Sequence, residues 1–163
     1  VRLHVPIRLR WSDLDAYAHV NNAEMLRLLE EARIQAFWAD DEPGVLATGD
    51  IVPGASTAVL DGRPGAGTLS LIARLEIEYL APIPYLRQPI DIQLWIGKLG
   101  GASLDVCYEV CSPIGQEPAQ VFARASTTIV LVDAGSGRPR KINGLERAAW
   151  TPYLEAPLSF ARK

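Results

Sequence analysis

The sequence predicts an α+β chain in which one long helix near the amino end packs against an antiparallel sheet of five or six strands. Three observations carry this reading. One stretch, beginning near residue 21, repeats apolar residues at helical spacing. The later segments alternate apolar and polar residues, and short Gly- and Pro-containing turns join them. The chain has 163 residues, 48% of them apolar and 21% charged, which suits a single domain with its own core. One domain is therefore expected over residues 1–163, with its core over about 1–135 and a carboxy-terminal tail over 140–163.

Val5, Ile7, Leu9 and Trp11 alternate with Pro6, Arg8 and Arg10, which predicts a half-buried first strand. Met25, Leu28, Leu29, Ala32 and Ala36, joined by Leu26 and Phe37, form the helical stripe, with Glu24, Arg27, Glu30, Glu31 and Arg33 mostly off it. Asn21 followed by Glu24 predicts a capping box and a helix start at 21 or 22, and Pro43-Gly44 predicts the stop. A strand is expected from about Ile51 to Leu60, although Pro53-Gly54 interrupts it. Further strands are expected at Leu71–Tyr79, Ile90–Ile96, Leu104–Cys111 and Ala119–Val132. Turns are expected at Asp61–Gly65, Gly97–Gly101, Ser112–Gly115 and Asp133–Pro139. From Ala148 onward, with Pro152 and Pro157, the pattern predicts a loose tail or a short surface helix. A single helix covers only part of such a sheet, so a second subunit is expected to cover remaining apolar surface or an exposed edge.

Several function classes are set aside by composition. A net charge of −3 gives no basis for a nucleic-acid partner. No apolar run approaches the ~20 residues of a membrane-spanning helix, and Val1 to Arg10 alternates instead of reading as a signal peptide. Cys107 and Cys111 are expected on one strand face, too far apart for a disulfide, as two reduced thiols in a cytoplasmic protein. With His4 and His19 as the only histidines there is no zinc-finger spacing, and neither a metal nor a cofactor is expected. The run Gly62 to Gly67 lacks the Lys-Ser/Thr of a phosphate loop, and no Gly-x-Ser-x-Gly elbow is present.

The chemistry concentrates in Arg10-Trp11-Ser12-Asp13-Leu14-Asp15-Ala16-Tyr17-Ala18-His19-Val20-Asn21-Asn22. It sets carboxylates beside a helix N-terminus, where backbone N–H groups lack intrahelical partners and the dipole favours negative charge. A carboxylate next to such an anion hole is what acyl transfer requires. The alternative for Asp13 and Asp15 is an Asx-turn ahead of the helix. His19 either holds the loop through its ring or assists catalysis, and Asn21 and Asn22 are first of all capping residues. Glu24, in the first turn, is a cap or a displaced base.

The Arg-Trp-Ser-Asp-Leu-Asp…His-Val-Asn-Asn pattern, leading into a helix that carries Glu30-Glu31-Ala32-Arg33, resembles the hot-dog-fold thioesterases. The similarity is to the 4-hydroxybenzoyl-CoA thioesterase-like and acyl-ACP thioesterase branches. Leu75-Glu76-Ile77-Glu78-Tyr79-Leu80-Ala81-Pro82-Ile83 is similar to the family's central strand and the turn leaving it. The resemblance implies a sheet wrapped around the long helix and a homodimer or homotetramer with sites at the subunit interface. It implies hydrolysis of an acyl-CoA or acyl-carrier-protein thioester, with Asp15 as the catalytic carboxylate and His19 assisting. Tyr17, Val20, Asn21 and Asn22 complete the expected substrate-binding set. Tyr17 stands where the acyl-ACP branch has asparagine, Ala18 where the CoA branch has glycine, and the Gly97–Ser103 hairpin carries Lys98 as its only cation. A hydratase or dehydratase and a non-catalytic acyl-binding protein share the fold and stand as alternatives.

Overall fold

The computed structural model describes residues 2–38, 57–60 and 65–161. The chain runs β1 (Leu3–Ile7), α1 (Asn22–Phe37), β2 (Thr68–Tyr79), β3 (Ile90–Leu99), β4 (Ser103–Cys111), β5 (Val121–Asp133) and α2 (Gly144–Trp150), with single 3₁₀ turns at Trp11–Asp13 and Thr151–Tyr153. Five strands form one antiparallel sheet in the order β1-β3-β4-β5-β2. The long helix α1 lies on this sheet and buries Met25, Leu28, Leu29, Ala32, Ala36 and Phe37 against it. This is the α+β hot-dog arrangement that the sequence predicts.

Several expectations change in detail. The first strand stops at Ile7; Leu9 is still buried, but Trp11 enters a 3₁₀ turn and is 73% exposed, its ring edge-on to Tyr85 with the centroids 5.3 Å apart. Alternation continued past Ile7 because Leu9 reaches the core from an irregular segment. Helix α1 does start at Asn22 with Asn21 as its cap, whose side chain accepts the Ala23 N–H at 2.8 Å. Glu24 closes no capping box; its carboxylate turns to Arg10, at 3.9 Å. The helix ends at Phe37, ahead of the expected stop, and Pro43-Gly44 lie outside the described residues. The Thr57 hydroxyl donates to the Ala36 carbonyl and the Leu60 N–H to the Phe37 carbonyl at 3.0 Å, so tertiary partners take up the last carbonyls. Of the strand expected near Ile51–Leu60, only residues 57–60 are described; Leu60 forms an isolated parallel bridge with Trp38.

Gly97 belongs to β3 and not to the following turn, which is made by Gly100 to Ala102. It sits at a register shift between Ile96 and Lys98, and a Cβ there would come within 2.7 Å of the Cys107 Sγ and 3.1 Å of the Pro157 Cα. That close approach goes with a tail packed on the sheet: where a loose tail or a short surface helix was expected from Ala148 onward, α2 ends at Trp150 and the chain beyond it follows the sheet. Trp150 is fully buried against Phe37 and donates its indole N–H to the Thr57 carbonyl at 3.0 Å. The segment after it crosses the outer face of the sheet. The Glu155 N–H donates to the Ile96 carbonyl, the Trp95 indole donates to the Ala156 carbonyl, and the Ala161 N–H reaches Glu78. Cys107 and Cys111 are both buried, and both are free thiols.

Arg33 is the other correction. Helical spacing places it mostly off the apolar stripe, yet it is only 6% exposed, with its Nη1 donating to the Tyr108 hydroxyl at 3.1 Å. At the opposite margin, β2 is an edge strand on which Leu69, Leu71 and Ile72 are 48%, 51% and 46% exposed. No helix among the described residues is long and apolar enough to cross a membrane.

Candidate active site

The loop between β1 and α1 is built on two acids with different tasks. Asp13 is completely buried. Its carboxylate accepts the Arg10 backbone N–H at 2.8 Å and the Arg10 guanidinium at 2.9 and 3.2 Å, and its carbonyl accepts the Asn21 N–H at 2.8 Å. Asp13 therefore ties the start of the loop to the cap of the helix. Its contact in turn holds the Arg10 guanidinium above its ordinary pKa.

Asp15 is only half-buried. Its N–H donates to the His19 carbonyl at 2.8 Å, its carbonyl accepts the Ala18 N–H at 3.1 Å, and Leu14 pairs with Val20, so residues 14–20 close as a small antiparallel loop. One carboxylate oxygen, Oδ1, accepts the N–H of Tyr17 at 2.8 Å and of His19 at 3.2 Å. The Asx-turn is thus real, but it uses one oxygen; Oδ2 has no partner among the described residues. Ala18, at φ +61°, occupies the left-handed region that favours glycine, which gives the glycine of the CoA branch at this position a physical reason.

The loop is held against the segment leaving β2. The Val20 N–H donates to the Ile83 carbonyl at 2.9 Å, His19 bridges Pro84, and the Tyr79 hydroxyl donates to the Asn22 carbonyl at 2.9 Å. Between the two lies a hollow of about 270 Å³, lined by Asp15, His19, Val20, Asn22, Met25, Tyr79 and the Leu80–Ile83 turn. At its helical margin Met25 is the first residue to bond back, to the Asn21 carbonyl at 3.0 Å, and the Ala23 N–H is taken by the Asn21 side chain. The amides of Asn22 and Glu24 are the first-turn donors left over.

Of the expected site residues, Asp15, His19, Val20 and Asn22 meet at the hollow. Asn21 stays behind it as the cap. Tyr17 does not line it; the residue stands 82% exposed at the loop tip. The backbone of His19, not its ring, holds the loop. Tyr79 and Met25 are site residues that sequence reasoning did not place here. The signal for Tyr79 was the Pro82 and Pro84 pair, which stops β2 just where the chain must turn across the helix N-terminus. Burial pushes the Tyr79 phenol up, so it stays a neutral hydroxyl. Among the described residues no group of three or more His, Cys, Asp or Glu side chains is placed to hold a metal ion.

A five-stranded antiparallel sheet carrying one long helix, with this loop at the helix N-terminus, defines a hot-dog protein. The profile of the thioesterase-like superfamily matches residues 9–154, and the chain belongs to that family. Among solved structures it is similar to the PA5185 protein of Pseudomonas aeruginosa, at 23% identity and TM-score 0.69 over 96% of this chain and 94% of that one. It is similar to the YbaW protein of Escherichia coli, at 25% identity and TM-score 0.65 over 94% and 99%. It is also similar to a thioesterase of Thermus thermophilus solved with coenzyme A and zinc, at 25% identity and TM-score 0.65 over 96% of each chain. No curated protein sequence matches the chain.

Proposed function

We propose that this protein hydrolyses an acyl thioester, with Asp15 as its catalytic carboxylate. The observation that carries the proposal is the second oxygen of Asp15. The loop consumes Oδ1 and leaves Oδ2 without a partner among the described residues, in a hollow shared with His19 and the first turn of α1. Two routes use that oxygen. As a base, Asp15 takes a proton from water, hydroxide adds to the thioester carbonyl, and the departing thiolate takes the proton as the carbon–sulfur bond breaks. As a nucleophile, Asp15 forms a mixed anhydride, expels the thiolate, and is released by water. In both, negative charge on the carbonyl oxygen is met by the amides of Asn22 and Glu24 and the helix dipole, on the order of 3–4 kcal/mol per donor in other enzymes. The His19 ring can pass the proton taken from water to the departing sulfur. Val20 and Met25 shape the apolar wall, Asn21 keeps the first turn in place, and Tyr17 meets substrate or a second copy from the loop tip.

The exposed edge of β2 fits the same reading. The twelve residues of β2 form an unpaired edge carrying exposed Leu69, Leu71 and Ile72, beside the strand end where Tyr79 enters the hollow. Pairing two such edges covers this surface and closes the hollow from outside, so a homodimer, or a homotetramer built from it, is the functional form. The Gly97–Ser103 segment offers only Lys98, which is exposed, for a nucleotide phosphate. Arg8, Arg10 and Arg27 line a second hollow of about 560 Å³ beside α1, but Glu30 and Glu31 share its wall. The acyl group and pantetheine therefore carry recognition, and either an acyl-CoA or an acyl-carrier-protein is a suitable donor.

The deciding experiment is thiol release across a panel of acyl-CoA and acyl-carrier-protein thioesters, followed by one turnover in ¹⁸O water. Label entering Asp15 on the first turnover marks the anhydride, whereas label in the acid alone is met by the base route or by water attacking the anhydride at its acyl carbonyl. Saturable acyl binding with no turnover on either carrier would refute hydrolysis in favour of an acyl-binding protein.

A further inference from the structure

Among the described residues Arg33 carries a charge into the core without a counter-charge. It is 6% exposed, its Nη1 donates to the Tyr108 hydroxyl, and it has no acidic partner among the described residues. Tyr108 is fully buried, and burial pushes its phenol up, so it faces Arg33 as a neutral hydroxyl and not as a phenolate. Thr127, on the adjacent strand, is fully buried as well. Its hydroxyl stands close enough to favour ionisation of the phenol, yet its oxygen makes no hydrogen bond of normal geometry. A guanidinium has five donors, and withdrawing one from water without a carboxylate costs several kcal/mol. A cluster left in that condition is suited to an anion that arrives from outside.

The sheet register shows how one would arrive. Tyr79 lies opposite Ala123, Ile77 opposite Ala125 and Leu75 opposite Thr127, while Tyr108 lies opposite Ala125 on the other side of β5. Directly paired residues share a face, and the bond from Arg33 shows that this face meets α1. Ile77 and Leu75 are only half-buried, so apolar side chains line the inner face of β2 from the level of Tyr79 to that of Thr127. Four strand residues span about 13 Å, the reach of a medium-length acyl chain. Ala123 and Ala125 keep the adjoining floor low.

Building on the thioesterase reading above, we propose that Arg33, with Tyr108 and Thr127, receives a carboxylate at the far end of the acyl group. The preferred substrate class is then an ω-carboxyacyl thioester. Arg33 binds the carboxylate through the donors that Tyr108 leaves unused, and the Thr127 hydroxyl gains the partner it lacks.

The test compares two acyl-CoA substrates of equal chain length, one ending in methyl and one in carboxylate. The wild type should favour the carboxylate by about tenfold or more in kcat/KM, and Arg33→Met should remove that preference. Because replacing an unpaired buried charge by an apolar side chain is often neutral or stabilising, Arg33→Met should hold or raise Tm. Thr127→Val, which leaves the charge in place, should lower the preference several-fold. A wild type that favours the methyl-ended chain, or variants that keep the wild-type ratio, would overturn the proposal. If neither thioester is hydrolysed, the thioesterase reading fails, and the anchor is judged by binding alone. A free dicarboxylate should raise the wild-type Tm more than the matching monocarboxylate and lose that advantage in Arg33→Met; equal shifts would overturn it.

Discussion

Asp15 and His19 hold each other through the backbone: the Asp15 N–H donates to the His19 carbonyl at 2.8 Å, and the Asp15 carboxylate accepts the His19 N–H at 3.2 Å. The bonds that shape the loop involve one carboxylate oxygen and no part of the imidazole ring. The fold and the proposed chemistry are therefore separable at this residue. Asp15→Asn keeps an oxygen for the Tyr17 and His19 amides and removes only the basic one. Its fold should survive while kcat falls at least ~100-fold. Asp13→Asn should behave in the opposite way, keeping most of kcat but losing on the order of 2 kcal/mol of stability, because Asp13 is buried and binds Arg10. Thiol-release kinetics and urea melts on both variants check the assignment, and the reverse ranking would mean that Asp13 is the catalytic acid.

Ala18 sits at φ +61°, where the Cβ of an L residue is strained against the backbone. Ala18→Gly should raise stability by roughly 0.5–1 kcal/mol, the left-handed strain relieved outweighing the extra chain entropy of glycine. A urea midpoint that falls would show that the turn does not carry this strain.

Acid sensitivity should centre on Glu146. Burial opposes its charge, but the Arg140 guanidinium, at 2.7 and 2.8 Å, and the Asn143 N–H, at 2.9 Å, hold the carboxyl below its ordinary value. A carboxyl with a depressed folded pKa adds stability that is complete above the unfolded value, about 4.3, and is lost as pH falls through the folded one. Wild-type Tm should therefore drop below about pH 4.5. Glu146→Gln should have a lower Tm at neutral pH and a flatter profile on the acid side. Equal acid slopes would remove Glu146 as the cause.

The two thiols should resist alkylation in the native state. Burial, with Asp91 and Glu109 nearby, pushes the Cys111 thiol up to about 11, and burial raises Cys107 too. Iodoacetamide at about pH 8 should label neither until urea unfolds the chain, since the thiolate is the reactive form. Rapid labelling of either one in buffer would contradict its burial.

The edge strand makes the assembly testable. Leu71→Lys places a charge on the exposed margin of β2 and should shift sedimentation toward the 17.8 kDa chain while also lowering turnover, because the proposed pairing of two β2 edges closes the hollow from outside. A variant that keeps the wild-type sedimentation would remove β2 as the pairing edge.

Much of this protein is legible in the chain. The helix, the four later strands and the loop that joins chemistry to the helix N-terminus all follow from local periodicity, because a two-residue or 3.6-residue repeat of apolar side chains has one way to bury itself. What local pattern misread was set by partners distant in sequence. The helix stop at Phe37 depends on Thr57 and Leu60, the ordered tail on Gly97 and Trp95, and the missing capping box on the pull of Arg10 upon Glu24.

The same division holds at the site. Residue order alone dictates that two acids, a histidine and two asparagines stand ahead of one helix, and that this helix lies on an antiparallel sheet. It does not say which of the two acids is buried. Folding gives the two acids different surroundings, burying Asp13 under Arg10 and leaving the Asp15 Oδ2 without a partner among the described residues. Folding also brings Tyr79 to the helix N-terminus and sinks Arg33 beside Tyr108. The physical reason is that hydrogen-bond partners are chosen in space. Spacing along the chain sets the face on which a side chain starts, and the packing of sheet on helix determines what it meets there.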